Sequence, residues 1–341
     1  MAMSLRTRNN ILIVIGLIML ISSSATADNN DSDVFTITPT YTQEELDSMK
    51  MYFLKYGDEH TYCTYIFHSS AKKNEAIYNF YMANTHNSVN AQRNMYDMIT
   101  EFYQSIGEEL NSTANDIALS YLKRSMEQEI DNLKVCSLLL CGIGIPIDTI
   151  KAKEYFLITF KHRNLSREKL EKLWIANKKL YVKWYERDKK AREEIREERG
   201  KRLIYQKTLI NSLIDTTAIN SSYTQDELAL LKDYFIECGD QNAYNTYIKF
   251  CPDEENKAMY TFYMANTHNS AIAQYQMYCM IRDFYASIGK EMDPTASAIA
   301  LSYLRRSVVQ GNADAIQEMQ KLGKKVPYIF WPPYKKMHLE W

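Results

Sequence analysis

Apolar residues along this chain recur at spacings of three and four, which is the period of an amphipathic α-helix. The first clear stretch places four of them on one helix face: Leu46, Met49, Phe53 and Tyr56. No segment shows a convincing alternation of apolar and polar residues, as a half-buried β-strand would. The pattern therefore predicts an all-α protein.

Local signals mark where these helices begin and end. A capping box, in which a hydroxyl and a carboxylate accept from free amide groups, occurs twice: Thr42-x-x-Glu45 and Thr224-x-x-Glu227. Side-chain caps indicate further helix starts at Asp58, Asp240, Asn111 and Asp293, the last followed by Pro294. Predicted stops fall on glycines that suit a left-handed conformation: Gly57, Gly107, Gly239 and Gly289.

The chain repeats itself at an offset of 182 residues. The segment YTQEELDSMKMYF at residue 41 returns as YTQDELALLKDYF at residue 223, and FYMANTHNS at residue 80 returns unchanged at residue 262. Between residues 41 and 128 the match needs no gap and holds about 49 identities in 88 positions. An ungapped match of this length indicates two copies of one folded unit.

A shorter period lies within each copy. Sets of five residues at steps of 4, 3, 4 and 4, rich in small residues, begin at Ala76, Ala118, Ala258 and Ala300. The fourth position of three sets holds a residue type that adopts positive φ readily: Asn87, Asn269 and Gly311. The spacing predicts a helix–turn–helix unit that recurs about every 34 to 42 residues.

Part of this pattern resembles a known family. The loop at residues 142–148, the helix positions Lys151, Ala152 and Tyr155, and the turn at residues 310–315 are similar to the Sel-one-like repeats of the tetratricopeptide superfamily. The resemblance covers about residues 72–160 and 254–327. It implies an α-solenoid that binds proteins or peptides rather than a catalytic fold.

The predicted architecture is an α-solenoid of helix–turn–helix repeats, with two duplicated units joined by a long basic helix. The units span residues 41–160 and 223–326, and charged connecting helices span residues 161–222. An extended linker at residues 28–40 precedes the first unit. An aromatic, Pro-rich segment at residues 327–341 is interpreted as a cap on the last repeat, with a tail that docks on a partner as the alternative.

The first 27 residues have the form of a secretory signal peptide. Arg6 and Arg8 precede an apolar run at residues 11–21, and Ala25-Thr26-Ala27 forms an A-x-A cleavage site. The run is shorter than the roughly 20 residues that span a bilayer. We therefore expect export to the periplasm or the exterior, with cleavage after Ala27; an uncleaved anchor is the alternative.

The connecting segment is basic, although the whole chain has a net charge of −1. Residues 161–202 carry 16 Lys or Arg against 8 Asp or Glu. A helix of about 34 residues is predicted, starting at Ser166 and docked by a broken stripe: Leu170, Leu173, Asn177, Leu180, Trp184, Ala191 and Ile195. Its basic strip comprises Lys178, Lys179, Lys189 and Lys190. The strip is a solvated face, or contacts an acidic partner, an anionic membrane surface or the acidic repeats of the same chain; nucleic acid is not expected.

Few residues have the spacing of reactive or metal-binding groups. None of the six cysteines has a cysteine at the matching position of the other copy. Cys238 and Cys251 could pair between adjacent helices, and buried free thiols are the alternative. The sequence contains no His-x-x-x-His, no Cys-x-x-Cys and no phosphate-binding loop, so we predict neither a metal nor a cofactor.

The repeated Asn-Thr-His-Asn-Ser motif supplies the candidate binding residues. His86 and His268 are the duplicated histidines, and each precedes a predicted helix end, where the helix dipole favours histidine. The alternative makes them general bases of a hydrolase or lyase. With their neighbours and two duplicated tyrosines they form the candidate set: Asn84, His86, Asn87, Tyr103, Asn266, His268, Asn269 and Tyr285.

These observations favour an exported, non-enzymatic protein whose groove binds a protein or peptide partner. Binding by stacked helices requires no catalytic residue. A narrower alternative is a periplasmic immunity protein that neutralises a toxin. Two further alternatives are a hydrolase or lyase that uses His86 and His268, and an envelope scaffold tethered through the basic helix.

Overall fold

The structure is a computed structural model that describes residues 41–69, 74–127, 132–142, 147–160, 165–206, 209–210, 213, 223–251 and 256–323. The predicted signal peptide, the linker at 28–40 and the cap at 327–341 lie outside the described residues. Within the described residues, no helix has the length and apolar character needed to cross a membrane.

The described part of the chain includes fourteen α-helices and no β-strand, which confirms the all-α prediction for these residues. The helices are α1 (Gln43–Tyr56), α2 (Glu59–His68), α3 (Glu75–Thr85), α4 (Val89–Ser105), α5 (Ser112–Met126), α6 (Asn132–Cys141), α7 (Thr149–Thr159), α8 (Arg167–Tyr205), α9 (Gln225–Cys238), α10 (Gln241–Phe250), α11 (Lys257–Asn266), α12 (Ala271–Ser287), α13 (Pro294–Val309) and α14 (Ala313–Lys321).

Helix bounds agree between the two matched regions, residues 41–128 and 223–310, called here the first half and the second half. Helices α1, α2 and α4 coincide with α9, α10 and α12 after a shift of 182, and the other two pairs differ by one residue at the C-terminal end. Both predicted capping boxes form, at Thr42 and Thr224. Gly57 and Gly239 end their helices at φ of 70°, as predicted.

The turn residues also behave as their type predicts. Asn87 and Asn269 are the non-glycine residues with positive φ in the described chain, at 53° and 51°, and Gly311 has φ of 81°. Asparagine tolerates this region because its short polar side chain bonds locally. Each turn lets consecutive helices lie against one another, so α3 packs on α4 and α11 packs on α12.

An aromatic cluster forms the core of each half. In the first half, the ring of Phe53 lies 5.3 to 5.8 Å from the rings of three tyrosines: Tyr62, Tyr65 and Tyr78. In the second half, the ring of Phe235 lies 5.4 to 5.8 Å from three matching rings: Tyr244, Tyr247 and Tyr260. Such tilted and edge-on contacts add to the free energy of burying the rings.

The basic connector is a single helix of 39 residues, α8, capped by Ser166 as predicted. It is longer than the predicted 34 residues and spans about 58 Å at 1.5 Å per residue. It contacts α6, α7, α4 and α9. All the predicted stripe residues are half-buried, whereas the fully buried side chains are Trp174 and Arg199, which the stripe left out. Trp174 packs on Phe156, 5.5 Å between ring centres.

All six cysteines lie among the described residues, and each is a free thiol. Cys136 and Cys251 are buried, Cys238 is exposed, and the other three are half-buried. The interpretation as buried thiols therefore holds for two of the six.

Candidate functional site

The two halves contact each other through reciprocal pairs of residues, here called the junction. Thr85 Oγ1 lies 2.5 Å from Tyr285 OH, and Tyr103 OH lies 2.6 Å from Thr267 Oγ1. Thr267 and Tyr285 are the second-half counterparts of Thr85 and Tyr103. Because each half offers the same pair to the other, the halves are related by an approximate twofold axis, as in an isologous interface.

Helix caps from each half complete the junction. Asp293 Oδ2 accepts hydrogen bonds from Thr85 Oγ1 at 2.6 Å and from Tyr285 OH at 2.9 Å. Its first-half counterpart Asn111 donates from Nδ2 to the backbone oxygen of Asn266 at 2.8 Å. Burial raises the pKa of Asp293, but hydrogen bonds from Thr85, Tyr285 and backbone amides outweigh it and leave the pKa below its usual value.

The two candidate histidines lie beside this junction and close the ends of the first helix of each half. His86 Nε2 is 3.1 Å from Tyr81 OH, and His268 Nε2 is 3.0 Å from the backbone oxygen of Ile236. Each ring also packs against the left-handed glycine, Gly57 or Gly239, so closely that a Cβ there would overlap it. Burial lowers the pKa of His86, Lys290 lowers it further, and Asp293 opposes them.

The side chains of the candidate asparagines bond within their own half. Asn84 donates from Nδ2 to the Tyr121 hydroxyl at 3.0 Å and accepts from Arg124 Nη1 at 2.8 Å. Asn87 Oδ1 accepts from Gln92 Nε2 at 2.7 Å. The counterparts in the second half make the same bonds: Asn266 with Tyr303 and Arg306, and Asn269 with Gln274. The motif therefore fixes the turn between two helices, and it needs an arginine that sequence reasoning missed, although the Arg-Ser pair repeats at 124 and 306.

The most informative site is a pair of grooves that the twofold relation generates. One groove lies between α9, α11 and the C-terminal end of α4, and the C-terminal part of α8 lies against α9 and α4 there; it is called the filled groove. The other lies between α1, α3 and α12, encloses about 790 Å³ and is empty of other helices among the described residues; it is called the open groove.

Arginines of α8 anchor it in the filled groove. Arg199 is 2 % exposed, and its guanidinium bonds the backbone oxygen of Ile106, Glu108 Oε1 and Glu237 Oε2, the last at 3.0 Å from Nε. Arg202 Nη2 lies 2.8 Å from Asp233 Oδ2. Burial raises the pKa of Asp233 despite this arginine. The hypothesis that the basic segment contacts acidic residues of its own chain thus agrees with the geometry at this end of α8.

The backbone of α8 approaches the groove as closely as a glycine allows. A Cβ on Gly107 would lie 2.9 Å from Ile195 Cγ2 and 3.0 Å from the backbone oxygen of Arg192. At the matching Gly289 of the open groove, a Cβ would meet nothing within 4 Å. The neighbouring isoleucines differ in the same sense, since Ile106 is buried and Ile288 is half-buried.

The basic strip lies on the exposed surface of α8. Lys178, Lys179, Lys189 and Lys190 are all exposed, and Lys190 lies 3.8 Å from Glu194. Lys178 also borders a shallow cavity of about 350 Å³ beside Trp174 and Ile150. Within the described residues, no cluster of three or more His, Cys, Asp or Glu side chains has metal-binding geometry.

Neither a protein-family model nor a curated protein matches this chain.

Proposed function

We propose that this protein is an exported, non-enzymatic interaction module that binds a helical segment of another protein. It is built from two duplicated helix–turn–helix units, similar to Sel-one-like repeats and stacked as an α-solenoid. The signal-like sequence at residues 1–27 supports export to the periplasm or the exterior.

One observation carries the proposal: the same surface occurs twice, and a helix already occupies one of its two copies. Helix α8 lies in the filled groove, with Arg199 buried between the halves. Clefts between packed helices commonly receive an amphipathic helix in this way. The open groove has the corresponding walls and no such occupant among the described residues.

The surroundings of the two histidines support a binding role over the hydrolase or lyase alternative. Each imidazole packs on a glycine turn and a tyrosine ring, and each Nε2 has a polar neighbour. A general base must reach the proton of a substrate. The proposal therefore predicts that replacing both with glutamine leaves partner binding intact, provided that the double variant stays folded.

Site-directed photo-crosslinking tests the proposal. The mature chain from Asp28 would carry the photoreactive residue at Met51, which is 67 % exposed in the open groove, or at Ile175, which is 49 % exposed on α8. We expect an envelope extract to yield a discrete crosslinked protein from position 51 and not from position 175. Equal labelling from both positions, or none from position 51, would count against binding in the groove.

A further inference from the structure

The open groove keeps the apolar wall of the filled groove. Four matched pairs are conservative or identical, given as open then filled: Leu54 and Ile236, Tyr78 and Tyr260, Phe284 and Phe102, Ile288 and Ile106. Phe284 and Tyr78 are 5.8 Å apart between ring centres, and Phe102 and Tyr260 are 5.1 Å apart. A helix with an apolar face of the same spacing therefore has the same kind of surface to pack on.

The rim of the open groove reverses the charge of the filled groove. The acids that hold α8 are Asp233, Glu237 and Glu108, and their counterparts are Met51, Lys55 and Lys290. The charged residues that line the open groove are three lysines and one aspartate: Lys50, Lys55, Lys290 and Asp283. The matched positions of the filled groove hold one lysine and four acids: Lys232, Glu101, Glu108, Asp233 and Glu237.

Lys290 occupies the position that matches Glu108, and both residues are half-buried. Its Nζ donates to the backbone oxygen of Leu54 at 2.5 Å and to Tyr81 OH at 2.6 Å. Both acceptors are neutral, so these bonds orient the ammonium group without cancelling its charge. An anionic side chain entering the groove would therefore meet a positioned cation.

We infer that the open groove binds an amphipathic helix of a partner protein that carries Asp or Glu where α8 carries Arg199 and Arg202. The inference rests on the proposed interaction function and adds the chemistry of the partner. The apolar walls supply the packing that a helix in a groove requires. The lysines select the sign of the partner, because like charges at an interface are strongly disfavoured.

Synthetic helices derived from α8 test this charge preference directly. The native probe is the peptide of residues 188–205, and the acidic probe is the same peptide with Arg196→Glu, Arg199→Glu and Arg202→Glu. A scrambled peptide of the acidic composition controls for charge without helical spacing. In titrations of the full mature chain by fluorescence anisotropy, we expect the acidic probe to bind about tenfold tighter than the native or scrambled probe.

Reversing the groove charges supplies the matched variants. Lys55→Glu combined with Lys290→Glu recreates two of the three acids of the filled groove, Glu237 and Glu108, so the native probe should now bind and the acidic probe should not. If circular dichroism shows that the double variant is poorly folded, Lys55→Glu alone replaces it, because this side chain is exposed. The single variant should lower the affinity for the acidic probe several-fold. Lys179→Glu with Lys189→Glu, on the basic strip, should leave that probe bound.

Several results would overturn the inference. If the strip variant loses the acidic probe as strongly as the groove variant, binding is a general attraction to basic residues. If the acidic and scrambled probes bind equally, helical spacing plays no part. If sedimentation shows that Lys55→Glu converts a dimer to a monomer, the occupant is a second copy of this chain. A partner crosslinked at position 51 together with no preference for the acidic probe would keep the proposed function and reject this partner chemistry.

Discussion

The filled groove and the open groove are built from matching helices, yet they differ in what each can hold. The apolar residues are almost the same, whereas Asp233, Glu237 and Glu108 of the filled groove become Met51, Lys55 and Lys290 in the open one. Apolar packing is non-directional and would accept many helices. The comparison teaches that two surfaces with nearly the same apolar residues can differ in charge at a few rim positions, which is the basis of the partner chemistry inferred above.

The filled groove also shows what holding a charged helix requires. The guanidinium of Arg199 leaves water almost completely, and it is compensated by two carboxylates and one carbonyl. A buried ion pair of this kind adds little net stability, but the loss of one partner is costly. Arg199 therefore fixes the register of α8 against the junction more than it adds stability.

The largest expected effect comes from removing that buried cation. Arg199→Ala takes the buried cation away from both carboxylates and leaves Glu108 with Arg196 at 3.6 Å, and we expect a loss of about 3 kcal/mol in the free energy of unfolding. This is the low end for such losses because Glu237 is 43 % exposed and can rehydrate. Urea denaturation measures it.

The matched control is Arg196→Ala. Arg196 is 47 % exposed and lies 3.6 Å from Glu108, so its removal should cost at most about 1 kcal/mol. Equal losses for the two variants would show that the depth of Arg199 has no energetic consequence, and the contrast between the grooves would lose its main support.

A pair of glycine variants sharpens the comparison between the grooves. Gly107→Ala and Gly289→Ala both place a Cβ at positive φ, 75° and 65°, so the backbone cost of roughly 1–2 kcal/mol is shared. Gly107→Ala also pushes against Ile195 and the Arg192 backbone, which adds about 1 kcal/mol, the low end of overpacking costs, because the closest atom is in the Ile195 side chain.

We expect the midpoint of urea unfolding to fall further for Gly107→Ala than for Gly289→Ala. Limited proteolysis should also cut α8 faster in the Gly107 variant, because the helix is displaced from its groove. If the urea midpoint falls further for Gly289→Ala, an occupant of the open groove approaches Gly289 more closely than α8 approaches Gly107.

The sequence predicted what depends on neighbouring residues. The capping boxes, the left-handed turns at Gly57 and Asn87 and the cap of α8 at Ser166 all involve contacts within about six residues, and all are present. Asn84 and His86 were predicted as binding candidates because they belong to a repeated motif. A repeat does not distinguish residues that bind a partner from residues that stabilise the fold. Tyr121 and Arg124, which hydrogen-bond to Asn84, lie 37 and 40 positions away from it.

Contacts between the halves were beyond sequence reasoning because they join residues far apart in the chain. Thr85 and Tyr285 are separated by 200 positions, and no periodicity relates them. Two signals for the grooves were nevertheless present. Arg199 follows Ile195 by four positions and so continues the stripe of α8, and Glu108 is matched by Lys290, a reversal of charge at otherwise similar positions.

A smaller effect is expected where the junction departs from twofold symmetry. Asp293→Asn makes that cap identical to Asn111, whose amide donates to a backbone oxygen across the junction. The pKa of Asp293 is below its usual value, so its ionised form contributes stability above the unfolded pKa of about 3.9, and this is lost as the pH falls through the folded pKa.

We therefore expect Asp293→Asn to change the free energy of unfolding little at pH 7. Between pH 7 and pH 3 the variant should lose less stability than the native chain does. The difference should be a few tenths of a kcal/mol, since the carboxylate is partly exposed and screened. Urea midpoints at pH 7 and pH 3 measure it. An equal acid sensitivity in both proteins would contradict the role given to this carboxylate.

The smallest effect concerns His86 of the first half, whose pKa is influenced by Lys290 of the second half; the residue that matches Lys290 in the first half is Glu108. Burial, and then Lys290, lower the pKa of His86, so the unfolded chain takes up the proton first. Stability should therefore fall as the pH drops below the unfolded value of about 6.5 and level off below the folded pKa. His86→Gln should remove this loss, worth a few tenths of a kcal/mol after screening.

Lys290→Met separates the two causes of that loss. Without the ammonium group beside the imidazole, the fall in stability between pH 7 and pH 5 should be smaller than in the native chain, while Lys179→Met, on the exposed strip, should not alter it. Thermal unfolding between pH 5 and pH 7 measures how stability depends on pH in each of the two variants. If Lys290→Met leaves the slope unchanged, burial alone sets the pKa of His86, and the charge of the open groove does not reach the junction.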